Sequence, residues 1–338
     1  MQSPGQRIGI TGANGFIGSH LLRSAIARGH RPIAFVQKGS SLKPIEDLEG
    51  RYERIEGDLL DDESLDRFVS QCDELFHLAG FNRYWATNPK VFHEVNFVAV
   101  QKVADECVKH GIKKIVHASS CITLGASDGP TPRTEEAEYN LKKLRFLYGE
   151  TKSAGEREMQ RRAKEEGLPV VIVNPTSAIG EMDYGPTPIG KPIRDIARGM
   201  WPVYVAGGAC FIDVHDVVRG LWLALERGRV GERYVLAGDN LSNREFMTLI
   251  TECAGVGRPR FRVPSPILTI AAHICEAMAD HITREHPPLT KGMNGLIGKY
   301  LYFDGKKAEQ ELGFKAGPAR PAIERCVQWF RANPNISL

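Results

Sequence analysis

The first half of the chain alternates short apolar runs with longer stretches whose apolar positions recur every three or four residues. The longer stretches predict helices that each end before a glycine, at residues 16–28, 95–110 and 148–166. Strands that alternate with helices are typical of a parallel sheet covered on both faces. The short runs predict the strands, at residues 8–10, 33–36, 75–78, 115–116 and 170–173.

The pattern changes after residue 175. Glycine and proline cluster between residues 180 and 202, which favours irregular loops around a site. A strand that enters a helix is predicted within residues 211–227, and residues 322–330 again have helical spacing. We expect a first domain at residues 1–180 and a second region at 181–338, with segments near 208–228 returning to the first domain.

One apolar stretch, residues 267–279, has three possible interpretations. His273 and Glu276 interrupt it, and it is too short to span a bilayer. It is a core helix, a substrate-pocket helix or a membrane-surface helix, in that order of preference. We predict no integral membrane segment.

Composition narrows the class of protein. The 338 residues are 42% apolar and 25% charged, and the net charge of +3 is too small and too mixed for a nucleic-acid partner. The seven cysteines are scattered without a CxxC pair, which favours free thiols in a reducing compartment. His215 and Asp216 have no third ligand at a metal-site spacing, so no metal is predicted. The polar start lacks a secretory signal, and we expect a cytoplasmic protein.

A glycine-rich turn follows the first predicted strand and opens the first predicted helix. Glycines here permit a tight turn and let backbone N–H groups approach a pyrophosphate, although a plain turn would also explain them. The predicted cofactor contacts of this turn are Gly12, Asn14, Gly15, Phe16, Ile17 and Gly18.

The end of the second strand bears on which dinucleotide binds. Residues 36–41 contain no carboxylate for ribose hydroxyls, and Lys38 could face a 2′-phosphate or simply point into solvent. This favours NADP, with NAD possible. Asp58, beside Leu59, could accept the adenine amino group, and a turn-forming aspartate is the rival explanation.

Tyr148 and Lys152 lie four residues apart near the start of a predicted helix, and so on one face of it. A free phenol has a pKa of about 10 and needs a nearby cation to exchange protons near neutrality, which Lys152 would supply. Ser119 and Ser120 follow a strand and offer a hydroxyl for a substrate oxygen.

Together these residues resemble the extended short-chain dehydrogenase/reductase family, an α/β fold with a doubly wound parallel sheet of Rossmann type and a smaller C-terminal substrate-binding region. The similarity is greatest to dihydroflavonol 4-reductase-like proteins and hopanoid-associated sugar epimerases. The segments that carry the resemblance are Thr-Gly-Ala-Asn-Gly-Phe-Ile-Gly from Thr11, Gly57-Asp58-Leu59, His77-Leu78-Ala79-Gly80, Asn96, Ser119-Ser120, Tyr148 with Lys152, and residues 173–176, 223–228, 231–234 and 329–333.

The resemblance implies roles for particular residues. Tyr148 would be the general acid, Lys152 would lower its pKa, Ser120 would orient the carbonyl and Asn96 would support the lysine. Further cofactor contacts would come from Leu78, Ala79, Gly80, Pro175 and Ser177, in addition to Tyr148 and Lys152. Substrate contacts would come from Tyr148, the second hydroxyl Thr123, and Phe81 and Trp85 in a loop that either lines the pocket or packs.

Two departures from the family matter. Gln37 stands where dihydroflavonol reductases carry an arginine, which leaves NADP preference open. Asn174 stands where many nucleotide-sugar enzymes place an arginine before proline, which weakens the transfer of their substrate contacts.

Three hypotheses follow. The first is an NADPH-dependent reductase of a ketone or aldehyde in a small molecule. The second is an NAD(P)-dependent epimerase or dehydratase that acts on a nucleotide sugar and returns the hydride. The third is an NADP-binding sensor without chemistry, although such proteins tend to lose the tyrosine or lysine. Relatives often pair, so a homodimer is possible.

Overall fold

Strands and helices alternate along the computed structural model, which describes residues 6–200, 203–259 and 261–336. The strands are β1 (Ile8–Thr11), β2 (Ile33–Gln37), β3 (Glu53–Gly57), β4 (Glu74–His77), β5 (Lys114–Ala118), β6 (Val170–Pro175), β7 (Ser177–Ile179), β8 (Val203–Tyr204), β9 (Gly208–Asp213), β10 (Arg233–Leu236), β11 (Asp239–Ser242), β12 (Phe261–Arg262) and β13 (Tyr300–Leu301).

The helices include long amphipathic segments and short connecting turns. The α-helices are α1 (Phe16–Ala27), α2 (Asp62–Val69), α3 (Lys90–His93), α4 (Ala99–Lys109), α5 (Leu147–Glu166), α6 (Gly190–Ala197), α7 (Val214–Arg227), α8 (Asn243–Ala254), α9 (Ser265–Met278), α10 (Lys291–Leu296), α11 (Lys306–Leu312) and α12 (Ala319–Ala332). Short 3₁₀ helices occur at Lys43–Leu48, Cys121–Leu124 and Lys142–Leu144, and π-helical turns at Glu94–Val98 and Ala279–Thr283.

The large sheet has seven parallel strands in the order β10-β6-β5-β4-β1-β2-β3. Its central strands are buried on both faces, as the apolar runs predict for a parallel sheet. Reversal of strand order next to β1 places the carboxyl ends of β1 and β4 beside a crevice, where Rossmann folds bind dinucleotides. The predicted α/β doubly wound fold is confirmed.

Helices cover both faces of this sheet. On one face α1 and α7 pack Leu22 and Trp222 against the strands, and on the other α2, α4 and α5 pack Phe68 and Met159. The strand β10 comes from beyond residue 180, yet it pairs with β6 of the large sheet. The N-terminal sheet and the later segments therefore share one core.

A smaller layer forms from β7, β9, β11 and β13, with α6, α8 and α12 against it. The rings of Phe211 and Phe246 stack with centroids 3.7 Å apart in its core. The region at 180–202, for which we predicted only irregular loops, contains the helix α6, because Ile193 and Ile196 bury against this core. The strand expected from residue 211 begins at Gly208.

The apolar stretch at 267–279 forms the helix α9, but it is not a core helix. Within α9 only Ala272 is buried, and its isoleucines face outward. The first of our three interpretations is therefore wrong. None of the described helices has both the length and the apolar character needed to cross a membrane.

Candidate active site

The turn between β1 and α1 closes only because of its glycines. Gly12 has a φ of +67°, in the left-handed region that favours glycine, and its carbonyl accepts a hydrogen bond of 2.9 Å from the Gly15 N–H. A Cβ on Gly18 would lie 2.0 Å from the Gly12 oxygen, which is a backbone collision. The glycine spacing therefore allows the helix to begin directly against the turn.

The first turn of α1 faces a cavity of about 590 Å³. Gly15 at the N-cap provides no side chain to accept from the free N–H groups of this turn. Such N–H groups, with the partial positive charge of a helix N-terminus, suit a diphosphate. Every predicted contact of the turn lines the cavity: Gly12, Asn14, Gly15, Phe16, Ile17 and Gly18. These residues fit a dinucleotide.

Sequence reasoning missed part of the wall beside this turn. The Asn14 Nδ2 donates to Ser40 Oγ at 2.8 Å and to the Ser41 carbonyl at 3.0 Å, which ties the segment after β2 to the glycine turn. Ser41 and Pro44 line the cavity. Lys38 is exposed beside them and does not line it, so its role at a 2′-phosphate stays a prediction.

The other predicted cofactor residues divide into two groups. Leu78, Gly80, Pro175 and Ser177 line the cavity. The Ala79 N–H instead donates to Thr11 Oγ1 at 3.2 Å, which holds the end of β4 against β1. Asp58 is exposed, and its Oδ1 accepts from the Leu60 N–H at 2.9 Å, as a turn-forming aspartate does, while Leu59 packs against the core. Ala79, Asp58 and Leu59 do not line the cavity.

Tyr148, Lys152 and Ser120 meet at the cavity wall. Tyr148 and Lys152 lie one turn apart in α5 and are both buried, and Ser120 is the N-cap of the 3₁₀ helix after β5. The Lys152 Nζ donates to the Ala118 carbonyl at 3.0 Å, which fixes the ammonium at the end of β5. The arrangement predicted from spacing is therefore present.

Burial is the main influence on the electrostatics of this trio. Burial raises the pKa of Tyr148 to about 12, although a hydrogen bond with Ser120 acts in the opposite direction. Burial also lowers the pKa of Lys152 to about 8, against the attraction of Glu156. Loss of water around the phenol therefore dominates its pKa here, and the lowering that we expect from Lys152 stays a prediction.

A buried polar network lies beneath the trio and was not predicted. Glu156, one turn after Lys152, accepts from Arg233 Nη1 at 2.6 Å and from Asn174 Nδ2 at 2.6 Å. Asn174 also donates to the Ser120 carbonyl at 3.2 Å, so the network holds the segment that carries Ser120. Asn174 is fully buried and does not line the cavity.

Thr123 belongs to this network and not to the substrate cavity. Its hydroxyl donates to Glu156 Oε2 at 2.8 Å and accepts from Asn174 Nδ2 at 3.0 Å, and the residue is 2% exposed. Its predicted role as a second substrate hydroxyl is corrected accordingly.

Asn96 positions the loop after β4. It lies in the π-helical turn Glu94–Val98, a feature frequent at functional sites. Its side chain accepts from the Phe81 N–H at 2.9 Å, and it donates to the Phe81 carbonyl and to Thr151 Oγ1, both at 3.2 Å. Asn96 thereby links that loop to α5, next to Lys152, without lining the cavity.

The far wall of the cavity is mainly apolar. Phe81 lines it as predicted, whereas Trp85 does not, because its indole N–H donates to Asp280 Oδ1 at 2.8 Å outside the cavity. Trp85 is therefore corrected from a lining residue to a packing residue. Tyr84 of the same loop also lines the cavity, and the apolar lining residues that sequence reasoning missed are Ile122, Met182, Ile189, Leu296 and Leu301.

Two charged residues interrupt this apolar wall. Asp183 is buried, and its Oδ2 accepts from the Thr187 N–H at 2.8 Å and hydroxyl at 2.9 Å. Its Oδ1 has no hydrogen-bond partner among the described residues. Burial raises the pKa of Asp183 to about 6, against the attraction of Arg83, which also lines the cavity.

The structure adds partners to His215 that spacing did not reveal. The His215 Nε2 lies 2.7 Å from Glu181 Oε1, and His20 lies with its ring centroid 5.0 Å from that of His215. Arg325 Nε donates to the other Glu181 oxygen at 3.0 Å. This arginine also donates to Asp213, so it bridges two carboxylates beside His215.

Comparison with known proteins places this geometry in a family. The model of the NAD dependent epimerase/dehydratase family matches residues 8–237. A putative dihydroflavonol 4-reductase of Synechocystis is 29% identical over 95% of this chain and 94% of its own length. Sterol demethylase protein B of Methylococcus capsulatus is 28% identical over 95% of this chain and 97% of its own.

A solved structure agrees with these relatives. The crystal structure of gox2253 superposes with a TM-score of 0.85 at 32% identity, over 98% of this chain and all of the other. The glycine turn, the Ser120–Tyr148–Lys152 trio and all the cavity-lining residues except Leu296 and Leu301 lie within the residues that the family model matches. This chain therefore belongs to the NAD-dependent epimerase/dehydratase family of extended short-chain dehydrogenase/reductases and is an NAD(P)-dependent enzyme of the oxidoreductase type.

Proposed function

We propose that this protein is an NADPH-dependent reductase of a ketone or aldehyde group on an apolar small molecule. The observation that carries the proposal is the Tyr148 phenol, which lines the cavity beside Ser120 and has a pKa raised to about 12. A phenol with that pKa keeps its proton at neutral pH. It is therefore suited to protonate an oxygen that gains negative charge, as reduction of a carbonyl requires.

The residues of the trio divide the work. Bound NADPH would supply the hydride. The Ser120 hydroxyl orients the substrate oxygen, and Tyr148 Oη transfers its proton to that oxygen as charge develops. Lys152 is held by Ala118 at the cavity wall, and its remaining N–H groups can bind ribose hydroxyls.

An apolar substrate is favoured by the far wall and by Asn174. Apolar side chains dominate that wall, and Asn174, at the position where many nucleotide-sugar enzymes place an arginine, is sealed beneath Ser120. Two relatives, the putative dihydroflavonol 4-reductase and sterol demethylase protein B, are likewise named for polycyclic molecules and not for nucleotide sugars.

The test is loss of the proton donor. The variant Tyr148→Phe should lose turnover by about a hundredfold or more, the scale of general acid catalysis, and still bind NADPH. NADPH absorbance with aryl ketones, aldehydes and nucleotide sugars measures turnover, and thermal shift measures binding. Tyr139→Phe is the matched control, because Tyr139 packs nearby, its hydroxyl has no hydrogen-bond partner among the residues that the structure describes, and it does not line the cavity.

The outcomes separate the three hypotheses. Wild-type turnover by Tyr148→Phe would contradict the proposed mechanism. Conversion of a nucleotide sugar with no net change in NADPH absorbance would identify an epimerase or dehydratase. Tight NADPH binding without turnover on any substrate would favour the sensor.

A further inference from the structure

The helix α9 and the π-helical turn that continues it carry a row of exposed aliphatic side chains. We call these five residues the apolar row: Ile267, Ile270, Ile274, Met278 and Ile282, which are 58%, 64%, 55%, 47% and 73% exposed. Their spacing of three or four residues places them on one face. The opposite face buries Ala272 and Ala279.

This exposure is concentrated and not scattered. Six of the ten large apolar side chains that are exposed in the described chain lie within residues 261–282, since Phe261 joins the apolar row. A contiguous apolar patch of this kind on a water-soluble surface marks an interaction site.

Unpaired cations lie at both ends of the row. Arg262 precedes α9 and Arg284 follows the π-helical turn, and each is exposed with no ion pair to any residue in the described ranges. The acids within the segment are engaged, because Glu276 lies 3.4 Å from Lys291 Nζ and Asp280 accepts from Trp85. Exposed Glu285 is the remaining acid, beside Arg284.

We propose that the apolar row docks this protein on the surface of an anionic lipid bilayer, with α9 lying parallel to the membrane plane. Residues 265–283 form about 28 Å of helix at 1.5 Å per residue, which suits an interfacial helix. The aliphatic side chains enter the acyl region, and Arg262 and Arg284 bind lipid phosphates.

The docked face adjoins the substrate side of the cavity. The helix α10 packs against α9 and contributes Leu296 to the cavity wall. Trp85, in the loop after β4, donates a hydrogen bond to Asp280 in the π-helical turn that follows α9. An apolar substrate dissolved in the bilayer would therefore approach the active site from the docked face. The docking itself does not depend on which reaction the site performs.

A second copy of this chain is the rival occupant, and the charges disfavour it. A two-fold dimer through α9 would bring the same surface of both copies together. In an antiparallel pair Arg262 of one copy would face Arg284 of the other, and in a parallel pair each would face itself. Either arrangement places cation against cation, whereas an anionic membrane compensates all of them.

Vesicle flotation tests the proposal with the full-length protein. Wild type should float with vesicles of equal parts phosphatidylglycerol and phosphatidylcholine, and bind less to phosphatidylcholine alone or at high salt. The double variant Ile270→Gln/Ile274→Gln should lose affinity by about tenfold or more. Arg262→Glu/Arg284→Glu should lose the preference for the anionic vesicles.

The control is Val108→Gln, which removes a 52% exposed aliphatic side chain from α4 and should float like wild type. Thermal melts show whether each variant is folded. The proposal is overturned if wild type does not float with anionic vesicles. It is also overturned if lipid-free protein is a dimer that Ile270→Gln/Ile274→Gln dissociates, since a second copy then covers the row.

Discussion

The cofactor side and the substrate side of the cavity are built in different ways. On the cofactor side, the backbone is packed so closely at Gly18 that no side chain would fit, and Glu156 of the catalytic helix is hydrogen-bonded to Asn174 and Arg233. On the substrate side, separate loops contribute apolar side chains, together with Arg83 and the unpartnered oxygen of Asp183.

The difference teaches where chemistry and selectivity reside. A side whose buried charges are paired with one another holds a shared cofactor in one geometry, and a change there should damage the fold. A side with open polar groups and apolar walls carries specificity on loops, and a change there should alter what binds. The predictions below test this division.

The largest effect is expected for Glu156→Ala. This change leaves Arg233 without its buried partner and removes the acceptor for Asn174, and loss of one member of a buried pair costs about 3–5 kcal/mol. Urea unfolding measures the change. Glu165→Ala in the same helix removes an exposed ion pair with Arg161 and should change stability by less than about 1 kcal/mol. Equal losses in both variants would show that the network does not stabilise the cofactor side.

The next effect concerns the glycine turn. In Gly18→Ala the new Cβ would lie 2.0 Å from the Gly12 oxygen, so the turn must shift. We expect the free energy of unfolding to fall by about 3 kcal/mol and the affinity for NADPH to fall as well. Thermal unfolding and cofactor titration measure both losses. Gly129→Ala is the control, because its Cβ would meet nothing within 4 Å. Unchanged cofactor affinity in Gly18→Ala would argue against diphosphate binding at this turn.

What the sequence revealed follows the same division. The glycine turn and the pair Tyr148 and Lys152 depend on spacing within a single element, so the sequence alone places them correctly. The roles of Glu156 and Arg233 were hidden, because one lies in a charged helix and the other 77 residues away. Only the pairing of β10 with β6 brings them together.

The substrate side was less predictable for a physical reason. The loop after β4 was expected over the cavity, and Phe81 lines it, but Trp85 turns away to Asp280, 195 residues later. Thr123 was chosen for its nearness to Ser120 in sequence, yet its hydroxyl is enclosed by Glu156 and Asn174. Local spacing contains no information on such distant partners.

Substitution of Asp183 tests whether the substrate side contains charged groups that lower the stability of the folded protein. The folded pKa of Asp183, about 6, lies above the ordinary 3.8, so the folded state binds more protons between these values. The protonated carboxyl therefore contributes to the stability of the folded state. This contribution is fully present below about pH 4 and is lost as pH rises through 6. Asp183→Asn should therefore gain about 3 kcal/mol at pH 7 and lose this part of the pH dependence.

Urea unfolding from pH 4 to pH 8 measures this gain. Asp128→Asn serves as the control. Asp128 is exposed and Lys299 lowers its pKa, so its effect on stability changes with pH in the direction opposite to that of Asp183. A destabilised Asp183→Asn with unchanged substrate selectivity would show that Asp183 supports the loop through Thr187, and would break the proposed division between the two sides.

The smallest effect is expected at the edge of the cofactor side, where Lys38 is exposed after β2 and no carboxylate lies among residues 36–41. If Lys38 binds the 2′-phosphate, Lys38→Gln should weaken NADPH about tenfold, equivalent to 1.4 kcal/mol, and leave NADH unchanged. Titration with both cofactors distinguishes a specific contact to the 2′-phosphate from a general attraction of Lys38 for any dinucleotide. If the attraction is general, Lys38→Gln should weaken NADPH and NADH equally. Lys43→Gln, close by in sequence and paired with Glu46, should alter neither affinity. An unchanged NADPH affinity in Lys38→Gln would place Lys38 in solvent and confine the cofactor side to the glycine turn and the trio.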